Sequence, residues 1–156
     1  MAVRTGKEFL EGLRDGREVW LDGEKVQDVT VHPAFSGMIH ELARIYDLQH
    51  SQQFQDEMTF VSQETGNRCS VSWLLARTEE DLKKKKRNSE IWTGESWGQL
   101  GRSPDILAPF ITALYKARAN LSDVKNPHCD FGENVVNYQR YCAENDLFLT
   151  HALGDP

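Results

Sequence analysis

Two segments carry residues out of keeping with their local surroundings. In Gly98-Gln99-Leu100-Gly101-Arg102-Ser103-Pro104-Asp105, Arg102 stands between two helical patterns, at the start of the second. A cation there opposes the positive end of a helix dipole, so stability alone does not select it. His151 interrupts the apolar run Leu147-Phe148-Leu149-Thr150-His151-Ala152-Leu153, where a plain core strand would carry another aliphatic side chain. Residues that break a local rule are candidates for a site. A guanidinium offers a permanent charge, and an imidazole exchanges a proton near pH 7. Taken singly, each reads more readily as a surface arginine or a hydrogen-bonded core histidine.

Other candidates are weaker. His40-Glu41 opens like a zinc-protease helix, but Arg44 stands where the second histidine is required, so no metal site is expected. Cys69, Cys129 and Cys142 are odd in number and widely spaced, which fits neither a disulfide framework nor a zinc pattern, and they read as buried or idle thiols. Lys83-Lys84-Lys85-Lys86-Arg87 follows Glu79, Glu80 and Asp81 at the i,i+4 spacing that pairs charges on a helix, and reads as a solvated face. No GxGxxG, P-loop or GxSxG is present.

The elements that would position these residues are mostly helical. Thr5-Gly6-Lys7-Glu8 has capping-box spacing and predicts a short helix carrying Phe9, Leu10 and Leu13, stopped at Asp15-Gly16. Glu18–Leu21, Asp22-Gly23 and Glu24–Val26 predict a hairpin with a type I′ turn. Phe35, Met38, Ile39, Leu42, Ile45 and Tyr46 predict a helix over about 34–47. A second hairpin pairs 58–61 with 68–71 across Gly66-Asn67.

Thr78-Glu79-Glu80-Asp81 starts a long helix reaching about residue 99. Ser103-Pro104 reads as the start of the next, with Ile106, Leu107, Phe110, Ile111, Leu114 and Tyr115 as its apolar face and Pro109 able to delay or kink it. A last helix spans about 130–144, with Phe131, Val135, Tyr138 and Cys142 aligned. The segment from Leu147 is strand-like and has no partner after it, so the chain reads as cut short.

Composition bounds the alternatives. The 156 residues carry 18 Lys and Arg against 24 Asp and Glu, a formal charge of −6, which opposes a dedicated nucleic-acid binder. With 39% hydrophobic residues the chain can fold around a core, so global disorder is excluded. Apolar stretches fall far short of the roughly 20 residues that cross a bilayer, and the mean hydropathy is −0.58. A charged N-terminus without a secretion signal points to the cytoplasm.

Four blocks in order carry a resemblance: Arg4-Thr5-Gly6-Lys7-Glu8-Phe9-Leu10 with Leu13–Trp20, Val29-Thr30-Val31-His32-Pro33-Ala34-Phe35, Leu100-Gly101-Arg102-Ser103-Pro104-Asp105, and Asn145-Asp146-Leu147 with Thr150-His151-Ala152. Together they resemble the N-terminal region of the 4-hydroxyphenylacetate 3-monooxygenase oxygenase family. The resemblance implies a mainly α fold with short β-hairpins, the helical N-terminal domain of an acyl-CoA-dehydrogenase-like architecture. That domain would cover residues 1–146, with 147–156 leading into a β-barrel.

The same resemblance implies a two-component aromatic hydroxylase of phenol catabolism, usually a homotetramer. Reduced FAD comes from a separate flavin reductase and forms a C4a-hydroperoxide that hydroxylates a phenol ortho to its hydroxyl. By resemblance, Arg102 and His151 are catalytic and substrate-binding, and His151 also contacts the flavin. Ile106 replaces the tyrosine usual in 4-hydroxyphenylacetate hydroxylases, so it contributes an apolar wall where a hydrogen-bond donor is expected. Residues 98–110 lack the cysteines that the dehydratase branch needs for an iron–sulfur cluster. On its own, this length of chain is expected to be inactive. The alternative is a standalone non-catalytic helical domain that binds a phenolic ligand or a partner subunit.

Overall fold

The computed structural model describes residues 3–63, 65–98, 107–124 and 128–149. They form α1 (Gly6–Gly12), β1 (Val19–Leu21), β2 (Glu24–Val26), α2 (Ser36–Leu48), α3 (Gln55–Met58), β3 (Thr59–Val61) and β4 (Arg68–Ser70). After a 3₁₀ turn (Val71–Trp73) come α4 (Glu79–Glu95), α5 (Leu107–Lys116), α6 (Arg118–Ser122) and α7 (Phe131–Glu144). The expected class, mainly α with two short antiparallel hairpins, is met. The chain divides into two compact units, Arg4–Gln55 and a second that joins Val3 to the residues from Asp56 onward. Among the described residues, no helix is long and apolar enough to cross a membrane.

In the first unit the Arg-Thr-Gly block acts mechanically. Thr5 Oγ1 accepts from the Glu8 N–H at 3.2 Å, and the Glu8 carboxylate returns to the Thr5 N–H at 2.7 Å, completing the predicted capping box. Gly6 N–H donates to Asp47 Oδ1 at 2.7 Å, and a Cβ on Gly6 would lie 2.3 Å from the Ala43 carbonyl oxygen, so only glycine allows α1 this close to α2. Phe9 stacks on Tyr46 with centroids 4.9 Å apart, and the Arg4 guanidinium lies 5.0 Å from the Tyr46 centroid while donating to the Tyr46 hydroxyl at 3.0 Å.

The first hairpin turns at Asp22 (φ 50°) and Gly23 (φ 83°), the two left-handed positions of a type I′ turn, in the register Val19↔Val26 and Leu21↔Glu24. Asp28 accepts from the Thr30 N–H, the Thr30 hydroxyl and Arg14 Nε at 2.8, 2.6 and 3.1 Å, and these bonds hold its carboxyl below the usual range.

Several elements differ from expectation. α1 stops at Gly12, capped by Leu13, while Gly16 (φ 81°) serves the following turn. The second hairpin is one residue shorter on each strand, pairing Thr59↔Ser70 and Val61↔Arg68, because α3 and the 3₁₀ turn take the flanking residues. α4 ends at Glu95, not near 99. Residues 147–149 form no strand, and the rest of that run lies outside the described residues.

The expected apolar faces are met only in part: Cys142 is fully buried and Ile111 packs on the core, while other members turn outward. α5 turns Ala108 and Thr112 inward and leaves Phe110 55% exposed. α7 buries Gly132, Gln139 and Cys142, leaving Phe131, Tyr138 and Tyr141 exposed. The cause is close helix approach: a Cβ on Gly132 would lie 2.1 Å from Ser122 Oγ and 2.4 Å from the Arg118 carbonyl oxygen of α6. At that contact the inward position of α7 must be glycine, and the neighbouring Phe131 turns outward.

Gly6→Ala should destabilise the protein by about 1–3 kcal/mol through overpacking. Gly37→Ala, at an open helical position, should be neutral or gain up to about 1 kcal/mol, both read by chemical denaturation. The depressed Asp28 carboxyl contributes stability above the ordinary carboxylate range, and this is lost as pH falls through its folded value. Asp28→Asn should therefore show a shallower loss of stability than wild type as pH drops below about 4.

Candidate functional site

Arg102, Ile106 and His151 lie outside the described residues. The elements that lead into their segments are described, and they meet. Trp73, Ala108 and Cys142, each 2% exposed or less, form an apolar cluster against which Ile111, Ala143, Leu147 and Leu149 pack. Ala108 lies in the first turn of α5, two residues after Ile106, and Leu149 stands two residues before His151.

The turn bearing Trp73 is held from α4. Lys85 Nζ donates to the carbonyl oxygens of Ser72 and Leu74 at 2.9 and 3.0 Å, with Val71 at 3.4 Å. One turn on, Asn88 Nδ2 donates to Ser72 Oγ at 3.0 Å inside the protein. Lys85 thus departs from the expected solvated face. Lys83 follows that expectation, pairing with Glu79 at 3.1 Å, whereas Asp81 is taken up by the cap at Thr78. Lys85, Asn88 and Trp92 share one helical stripe, a spacing legible in sequence but obscured by the surrounding run of cations.

Both helices preceding the candidate segments end in the same way. After α4, Gly98 N–H donates to the Thr93 carbonyl at 2.9 Å and Trp97 N–H to that of Gly94 at 3.3 Å. After α7, Leu147 donates to Cys142 at 3.0 Å and Asp146 to Ala143 at 3.3 Å. These are Schellman turns, yet the left-handed residue is Trp97 (φ 52°) in one and Asp146 (φ 43°) in the other, positions where glycine is usual. Strained non-glycine residues are thus placed just before each candidate segment.

The remaining candidates find structural partners. His40 Nε2 donates to the Thr30 carbonyl at 3.1 Å, which joins it to the network around Thr30, while Glu41 pairs with Arg44 at 2.6 Å on the helix surface. Burial pushes the Cys142 thiol up, and likewise Cys69, which keeps both protonated at neutral pH. The Tyr138 phenol, beside Cys142, is also raised by burial. Among the described residues, no group of three or more His, Cys, Asp or Glu side chains could hold a metal ion.

Residues 5–156 match the family described as "4-hydroxyphenylacetate 3-hydroxylase N terminal". The chain belongs to that family. It is 40% identical over 155 residues to the 4-hydroxyphenylacetate 3-monooxygenase oxygenase component of Thermus thermophilus, covering 99% of this chain and 30% of that protein. It is 39% identical over 154 residues to the oxygenase component of 4-nitrophenol 2-monooxygenase from Rhodococcus sp., covering 97% and 28%. A crystal structure of an oxygenase component complexed with FAD and 4-hydroxyphenylacetate superposes with a TM-score of 0.85 at 38% identity, over 98% of this chain and 30% of that one. An archaeal 4-hydroxybutyryl-CoA dehydratase from N. maritimus, at 18% identity and a TM-score of 0.73, shares the fold. The chain spans about 30% of the length of the relatives it matches.

Lys85→Met, which leaves the carbonyls of 72 and 74 without their donor, should cost about 1–3 kcal/mol in thermal or chemical denaturation. Lys86→Met, on the exposed side, should stay within about 0.5 kcal/mol.

Proposed function

We propose that this chain is the N-terminal region of the oxygenase component of a flavin-dependent aromatic monooxygenase, which hydroxylates a phenol ortho to its hydroxyl. The observation that carries the reading is its likeness along nearly its whole length to an oxygenase that binds FAD and 4-hydroxyphenylacetate. The apolar cluster supports it, because Ala108 and Leu149, each two residues from a candidate, meet there.

Reduced FAD, delivered by a separate reductase, supplies the electrons that activate dioxygen. The donor set suits such a site in kind. Trp73, Ile111, Leu147 and Leu149 give the apolar character on which flat rings pack, and Arg102 and His151 add one fixed cation and one imidazole. His151 would contact the flavin and take the phenolic proton onto a ring nitrogen, and Arg102 would hold the resulting phenolate oxygen. The ring then carries the electron density that ortho hydroxylation requires. Ile106 offers a wall without a hydrogen-bond donor, so selection among phenols is broad, about 1–3 kcal/mol for an apolar contact. The family resemblance further supports assembly as a homotetramer in the cytoplasm, with residues 1–146 as the helical domain and 147–156 leading onward.

The test uses the full-length enzyme with a flavin reductase, NADH and FAD. Arg102→Ala and His151→Ala should each lower kcat/KM for hydroxylated product by roughly 10²-fold or more, with NADH oxidation by the reductase unchanged. Wild-type rates in both variants would refute the assignment.

A further inference from the structure

The second unit holds a groove of about 690 Å³ between β3–β4, residues 73–84 and the C-terminal half of α7. Its apolar lining comes from Phe60, Trp73, Leu74 and Ala143. Gln139 also lines it. This side chain is only 6% exposed, and its amide makes no hydrogen bond among the described residues. Its polar atoms are not sealed from the groove, so an entering ligand can meet the amide directly.

The charges around the groove run against the protein's overall sign. Arg77, Lys84 and Arg140 line it, against Asp81 and Glu144, in a chain of net charge −6. Asp81 is committed elsewhere, its Oδ2 accepting from the N–H groups of Arg77 and Thr78 at 2.8 and 3.0 Å. Lys84 and Arg140 form no ion pair among the described residues. The volume falls within the range of small-molecule pockets, about 300–1,000 Å³.

We propose that this groove binds a small carboxylate with a flat apolar body, the body lying on Phe60 and Leu74 and the carboxylate reaching Lys84 and Arg140, with the Gln139 amide donating to it. The proposal does not rest on the hydroxylase reading, because every residue it uses belongs to the described groove and none is a candidate for the hydroxylation chemistry.

Calorimetric titration of the 156-residue chain with 2-naphthoate, with the Gln139 side-chain NH₂ followed by NMR, tests it. Saturable one-to-one binding that shifts the Gln139 signal is expected, with neutral 2-naphthalenemethanol weaker by roughly tenfold. The double variant Lys84→Gln, Arg140→Gln should lose a similar factor without a change in melting temperature. Gln139→Leu should weaken binding too, and the two surface substitutions keep the test decisive if that variant fails to fold. Absence of saturation, equal binding of the neutral analogue, or unchanged affinity in the double variant would overturn the proposal. Displacement of naphthoate by FAD would assign the groove to the cofactor and overturn it as well.

Discussion

The ammonium of Lys85, set against the carbonyls of residues 71–74, is the interaction on which the second unit's interior depends. A 3₁₀ turn leaves carbonyls without intrahelical donors, and burying them unmet would be expensive. One cation satisfies the group and ties α4 to the turn, with Asn88 fixing Ser72 one helical turn along. Trp73 is held in consequence, and its ring becomes the surface on which α5, α7 and residues 147–149 converge. The path into both candidate segments therefore runs back to a lysine whose neighbours in sequence face solvent.

Local signals carried much of the fold. The capping boxes at Thr5 and Thr78, the Asp22-Gly23 turn and the apolar repeat of α2 are short-range arrangements, complete within a few residues, and each forms where its spacing predicts. The faces of α5 and α7 were not legible in the same way. Their periodicity selects the bulky stripe, whereas burial is decided by how closely α6, α7 and the 3₁₀ turn approach, and that distance is a property of several elements at once. Gly132 and Ala108 are small because their neighbours are near, which no window within one helix can report.

The helix ends show a second limit. The sequence predicts an α4 that reaches about residue 99, but the helix closes earlier on Trp97, which adopts the left-handed conformation that sequence rules reserve for glycine or asparagine. Asp146 does the same after α7. A tryptophan 90% exposed gains little from packing to offset that conformation, so the turn persists because its two closing hydrogen bonds and the helix before it fix the backbone.

The blocks that identify the family divide by what they do. Arg4, Thr5, Gly6 and Phe9 are accounted for by a cap, a close backbone approach and a stack on Tyr46, and Thr30 is accounted for by its bonds to Asp28 and Arg14. Such residues identify the fold without specifying a reaction. On the proposed hydroxylase reading, discrimination among phenols would not come from them, since their polar groups are already engaged within the first unit. It would fall to Arg102, Ile106 and His151, and among these only Ile106 would trade a donor for an aliphatic surface. A wall that offers no hydrogen bond excludes by shape and by the cost of stranding a polar group against it. Under that proposal, Ile106 would select against polar substituents at that edge of the ring and would not recognise one.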